Sequence, residues 1–309
     1  MEKLTRGIDR KFAAVFTKTA VYKLLIKHPR ELFLGIRNNY INIYYRGLRI
    51  CKGTIVDGRF RAEIASRYLG LNGSEGYVDI SASELARKYR RIRKNIDKHY
   101  ANMNKEKDML QRLVNNNNGN RDSEWVCVDI KYRMQRGSGA EPDPVKFDII
   151  AFTKVAPHRV ALIELKCEAK TIGGKIGIVK HLYDYYEFFK SGDFENYLMP
   201  ELIDIVRSYG RVFPDNPHMG AAISADTFSK KPEFFFITLE DTEDRAKDKL
   251  LRHIRDDVPG AAENNLTREL GFDITTQNDE GFNPIFLFSD NDSRFINMII
   301  GDDNYQIGF

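Results

Sequence analysis

The sequence predicts a mixed α/β fold, in which a β-rich N-terminal region precedes a mixed central sheet flanked by helices. Three observations predict it. Runs of β-branched and aromatic residues cluster before residue 60 and again between residues 125 and 166. Amphipathic stretches with apolar residues three and four apart lie between and beyond them. Asn, Gly and Pro mark the joins. With 309 residues, 42% hydrophobic and 12% aromatic, the chain has enough apolar material for a folded core.

Residues 1 to about 30 carry a helical pattern that stops at His28-Pro29, because proline disfavours helical geometry in the residue before it. ELFLGIR, YINIYYRG and LRICKGTIV follow, separated by Asn38-Asn39 and Arg46-Gly47, and read as an antiparallel meander. Ser81 and Glu84 have capping-box spacing. From there Leu85, Tyr89, Ile92, Ile96, Tyr100, Met103, Leu110 and Val114 recur at helical spacing, so one long helix, broken at most once, is expected to reach Val114. Asn115 to Asn118, followed by Gly119, offers no apolar anchor and reads as a loop.

WVCVDIKYRM (125–134) reads as a strand and GSGAEPDP as a connection. FDIIAFTKVAPHRVALIELK (147–166) forms two apolar strands around a Pro-His-Arg turn. A helix over 175–190 turns Ile178, Leu182, Tyr185 or Tyr186, and Phe189 inward, and a second covers roughly Phe194 to Tyr209. EFFFITL (233–239) is a buried strand, EDRAKDKLLRHI (243–254) a charged helix and PIFLFS (284–289) a last strand. The boundaries drawn are 1–80 for an N-terminal helix and β-rich accessory region, 81–258 for a core and 259–309 for a C-terminal extension.

Several function classes drop out. No apolar run approaches the ~20 residues of a membrane span, so no membrane partner is expected and a cytoplasmic location is. Cys51, Cys127 and Cys167 are scattered, which excludes a disulfide framework, a CxxC metal knuckle and a four-cysteine cluster. The six histidines show no metal-ligand spacing. Gly173-Gly174-Lys175 lacks the Walker spacing and reads as a turn before a helix. A net charge of +4 says little alone, but Arg87 to Lys98 holds seven basic residues against the single acid Asp97. Arg87, Arg91, Lys94 and Lys98 share a stripe away from the apolar one, where they can follow a phosphate backbone without reading bases.

The quoted pair of strands ends in charge. Side chains alternate, so Val160, Leu162, Glu164 and Lys166 share one face. Folding the pair about Ala156 sets Phe152 opposite Val160, Ile150 opposite Leu162, and Asp148 opposite Glu164. Two carboxylates ~5 Å apart repel by about 3 kcal/mol at an effective dielectric near 20, whereas a favourable cross-strand pair contributes under ~1 kcal/mol. A divalent cation with oxygen ligands offsets that repulsion, and Lys166 does so in part.

Over residues 81–258 this arrangement resembles the PD-(D/E)xK nuclease superfamily, whose restriction-endonuclease-like αβββαβ core would match the basic helix, WVCVDIKYRM, FDIIAF, RVALIELK, the 175–190 helix and EFFFITL in turn. The resemblance implies a nuclease acting on nucleic acid, DNA before RNA, plausibly in restriction or defence, with Asp148, Glu164 and Lys166 as its catalytic residues. Asp148 and Glu164 would hold Mg2+, for which Mn2+ could substitute. The family's glutamate on the first core helix would be Glu106, with Glu124 as the alternative. Lys175 and Lys180, with the basic stripe, would contact nucleic acid, and Lys180 competes with His181 for a place pointing into the site. The N-terminal region would contact substrate, a second copy or a partner protein. The bare acid-x-Lys pattern also occurs at Asp9/Lys11, Asp129/Lys131 and Glu168/Lys170, and only Glu164/Lys166 ends a strongly apolar strand after an Asp-led one. The competing class is a nucleic-acid-binding protein that keeps the fold without catalysis.

Overall fold

A computed structural model describes residues 6–71, 76–99, 105–134, 145–167, 177–216, 218–219, 223–239, 282 and 284–289. The fold is mixed α/β, with two five-stranded sheets and six α-helices among the described residues. The chain divides into two compact units, residues 1–120 with 199–227, and residues 121–198 with 228–309.

In the first unit the predicted N-terminal helix is two short helices, α1 (Arg10–Phe16) and α2 (Ala20–Lys27). Each has its own cap, since Asp9 accepts from the Phe12 amide at 2.7 Å and Thr19 from the Tyr22 amide at 3.1 Å. The meander is longer than predicted: β1 (Leu32–Ile36), β2 (Ile41–Tyr45) and β3 (Leu48–Val56) continue into β4 (Arg59–Ala65) and β5 (Tyr77–Ser81), all antiparallel neighbours in chain order. Phe60, Ala62 and Ile64 of β4 are buried, while Arg59 and Arg61 between them are exposed, the period-two pattern of a sheet covered on one face.

The Ser81 hydroxyl accepts from the Glu84 amide at 3.2 Å and starts α3 (Ala82–His99), whose Leu85, Tyr89, Ile92 and Ile96 are buried. The next helix, α4 (Lys105–Gly119), contains Asn115 to Asn118, so the expected loop there is helix. The reason is the bonding of the asparagine side chains, one across to another segment and one within the helix. The Asn115 amide donates to the Arg30 carbonyl at 3.0 Å, and fully buried Asn117 donates to the Leu113 carbonyl at 2.9 Å. Because α3 clusters with the first sheet, the units do not follow boundaries at residues 80 and 258.

The second unit opens with β6 (Trp125–Arg133), β7 (Lys146–Thr153) and β8 (Val160–Lys166), an antiparallel meander. The β7–β8 register pairs Phe152 with Val160, Ile150 with Leu162 and Ile149 with Ile163, as alternation predicts. Helix α5 (Ile178–Lys190) packs Tyr185 and Phe188 against Phe147, with ring centroids 4.9 and 5.2 Å apart. After α5 the chain contributes α6 (Met199–Val212) to the first unit, where Tyr209 donates to the Leu34 carbonyl and Ser208 accepts from the Ile8 amide. It returns for β9 (Glu233–Leu239), parallel to β8, and β10 (Pro284–Ser289), parallel to β9. The expected 243–254 helix and the Gly173-Gly174-Lys175 turn lie outside the described residues. No helix among those described is long and apolar enough to cross a membrane.

Candidate functional site

One cross-strand row of the second sheet concentrates the charge. Lys131 falls opposite Asp148, between the paired residues Ile130–Ile149 and Tyr132–Phe147. Asp148 is one step beyond the Ile149–Ile163 pair, in line with Glu164, which in turn pairs with Phe236. The two carboxylates are therefore on one face of the sheet, and both are buried, at 7% and 4% exposure.

Each carboxylate has its own ammonium. Lys131 Nζ donates to Asp148 Oδ1 at 2.6 Å, and Lys166 Nζ to Glu164 Oε1 at 2.7 Å. The other Asp148 oxygen accepts the Leu165 amide at 2.9 Å, tying β7 to the charged end of β8. Helix α5 completes the enclosure of Glu164: the Tyr185 hydroxyl reaches Oε2 at 3.1 Å, and His181 Nε2 lies 3.1 Å from Oε1. His181 and Tyr185 are four residues apart, which on a helix stacks them on one face.

Electrostatics follow from this crowding. Burial, and next the Asp148 charge, raise the Glu164 carboxyl well above the usual carboxylate range against the opposing pull of Lys166 and Lys131. Burial, then the neighbouring Lys166 ammonium, push His181 down to about 4. Its contact with Glu164 at neutral pH is therefore that of a neutral ring and not a salt bridge. Burial raises Tyr185 far above its ordinary value, so its hydroxyl keeps the proton that it donates.

The remaining sequence candidates have other positions. Lys180 is exposed and pairs with Asp184 at 2.7 Å, while His181 is the α5 residue that reaches Glu164. Glu106 is in the first turn of α4, in the first unit. Glu124 pairs with Arg159 at 2.8 Å, just before β8 and so at the opposite end of that strand from Glu164. Arg87, Arg91, Lys94 and Lys98 are all exposed on α3. Lys175 lies outside the described residues.

Comparison with protein-family models, with curated proteins and with solved structures gives no match.

The sequence reading set Lys131 aside as a bare acid-x-Lys match and left Tyr185 as core. Tyr185 had a legible signal, a polar residue one turn after His181 on a helix face turned inward. Lys131 had none: its position depends on a register shift between Cys127 and Asp129 and on a left-handed backbone with φ +51°. Neither is written in hydrophobic periodicity.

Among the described residues no three His, Cys, Asp or Glu side chains group closely enough to hold a metal by themselves. The donor set still fits one kind of ion. Each carboxylate has about four lone-pair positions. Asp148 and Glu164 each accept two hydrogen bonds, with His181 Nε2 beside Glu164 Oε1, which leaves acceptor capacity on both. Two carboxylates suit a hard, oxygen-seeking cation such as magnesium or manganese, and magnesium keeps several of its own waters.

Proposed function

We propose that this chain is a divalent-cation-dependent nuclease that hydrolyses phosphodiester bonds, in DNA first, at the Asp148, Glu164 and Lys166 cluster. The observation that carries the reading is the burial of two carboxylates in line across β7 and β8, with an ammonium on each. Alignment of like charges in a sheet is unfavourable by more than the strand pairing returns, and a nuclease gives a reason for it. The order β6, β7, β8, α5, β9, with β9 parallel to β8, agrees with the βββαβ part of a restriction-endonuclease-like core and supports the same reading.

Asp148 and Glu164 would hold magnesium or manganese. The chemistry supplied by the bound ion would be polarisation of a scissile phosphate and acidification of the attacking water. Lys166, enclosed beside Glu164, stabilises charge that accumulates on the phosphate. Tyr185 at Oε2 and His181 beside Oε1 fix the orientation of the Glu164 carboxyl group. The exposed α3 stripe supplies sequence-independent phosphate contacts.

The test incubates the purified chain with supercoiled, linear and single-stranded DNA and with RNA, in magnesium, manganese or chelator, beside Asp148→Ala and Lys166→Ala. Cleavage that needs the metal and is lost in both variants is expected. Binding without cleavage in every metal would instead indicate a nucleic-acid-binding protein, and cleavage that survives both substitutions would move the chemistry elsewhere.

A further inference from the structure

The two lysines of the cluster are held differently. Lys166 is enclosed, with 10% of its side chain exposed, and bonds Glu164 two residues away on its own strand. Lys131 comes from β6, has 36% of its side chain exposed, and reaches Asp148 across the ladder at 2.6 Å. Its backbone is left-handed at φ +51°. That conformation is unfavourable for a residue with a Cβ, and it occurs two residues beyond the irregularity in β6–β7 pairing. The strand thus accepts strain at the residue whose partly exposed ammonium meets Asp148.

An ammonium and a divalent cation seek the same carboxylate lone pairs and repel each other. Each carboxyl group of the row already has an ammonium partner. Adding a dication leaves an excess of positive charge, and the lysine that can leave without opening the core is Lys131. We propose that Lys131 is a built-in competitor for the cation: its ammonium holds Asp148 until a divalent ion takes that oxygen, then swings outward, where it faces an incoming phosphate. This rests on the reading of Asp148 and Glu164 as cation ligands.

Calorimetric titration of the full chain with Mn2+, without nucleic acid, tests it in the wild type and in Lys131→Met, Lys131→Gln, Lys131→Arg and Asp148→Asn. Lys131→Met and Lys131→Gln should bind Mn2+ about tenfold more tightly, since a nearby like charge is gone. Lys131→Arg, which keeps the charge, should stay within about twofold of the wild type, and Asp148→Asn should lose most of the binding. Equal or weaker affinity in both uncharged variants overturns the proposal, because a purely structural lysine would leave the site unchanged or loosened. The two readings separate cleanly. Tightened Mn2+ binding without any cleavage sinks the nuclease and leaves the competition standing, whereas Asp148-dependent cleavage with unaltered Mn2+ affinity does the reverse.

Discussion

Glu164 receives donors from two elements, Lys166 on its own strand and Tyr185 on α5, with His181 beside it. Its opposition to Asp148 was legible, because alternation in two apolar strands joined by a tight connection admits few registers. Lys131 was not, because a bulge shifts the period that such reasoning depends on. Burial has a second effect in residues remote from this chemistry. Cys51 and Cys127 are fully enclosed, and burial raises each thiol to about 12. The thiolate is the reactive form, so at pH 8 roughly one in 10⁴ of each thiol is ionised by the usual tenfold per unit. Iodoacetamide should leave both unlabelled in the folded chain and label both in denaturant, as read by peptide mass spectrometry. Linkage sets the sign for stability. A raised folded-state value contributes in full below the unfolded value near 8.5 and loses that contribution as pH climbs toward about 12. Denaturant midpoints should therefore fall above about pH 9. Fast labelling at neutral pH without denaturant would contradict the burial of these thiols.

At the level of elements, the hairpin between β2 and β3 shows what sequence pattern conceals. Arg46 and Gly47 both have positive φ, at 50° and 67°, and Gly47 lies so close to α4 that a methyl group would overlap the Lys107 carbonyl. The hairpin is bonded to that helix. Gln111 accepts the Gly47 amide at 2.6 Å and donates to the carbonyls of Glu31 at 2.6 Å and Tyr44 at 3.2 Å, while Arg46 makes paired hydrogen bonds to Asp108, each at 2.8 Å. The same helix holds the asparagine run, whose polar side chains are partners of the surrounding backbone. A composition-based reading hears only polarity there, so α4 was cut short at Val114. Gln111→Leu preserves the volume and removes these bonds, including the one that satisfies the buried Gly47 amide. It should destabilise the fold by about 2–4 kcal/mol in urea titration, and a loss under about 0.5 kcal/mol would show that the glutamine merely fills space.

At the level of the whole molecule, a net charge of +4 conceals a local asymmetry. Arg87, Arg91, Lys94 and Lys98 are exposed along α3, so their replacement by glutamine should leave stability within about 0.5 kcal/mol. Nucleic-acid affinity should fall, and the slope of log K against log salt should drop by roughly 0.9 for each duplex phosphate contact removed. Filter binding at several salt concentrations measures both, and an unchanged slope would exclude this stripe from the contact surface. The assignment of α3 and α6 to the first unit was not legible, since helix patterns state which face is buried and not which sheet buries it.

The chain leaves the first unit at residue 120, comes back to it for residues 199–227 and leaves again. During synthesis the N-terminal half therefore emerges from the ribosome without the helix that supplies Ser208 to the Ile8 amide and Tyr209 to the Leu34 carbonyl. The first unit waits without α6 through nearly eighty further residues of translation, by which time the strands bearing Asp148 and Glu164 have already appeared. The two halves consequently mature together, and a gene cut at codon 120 should yield a fragment that depends on chaperones.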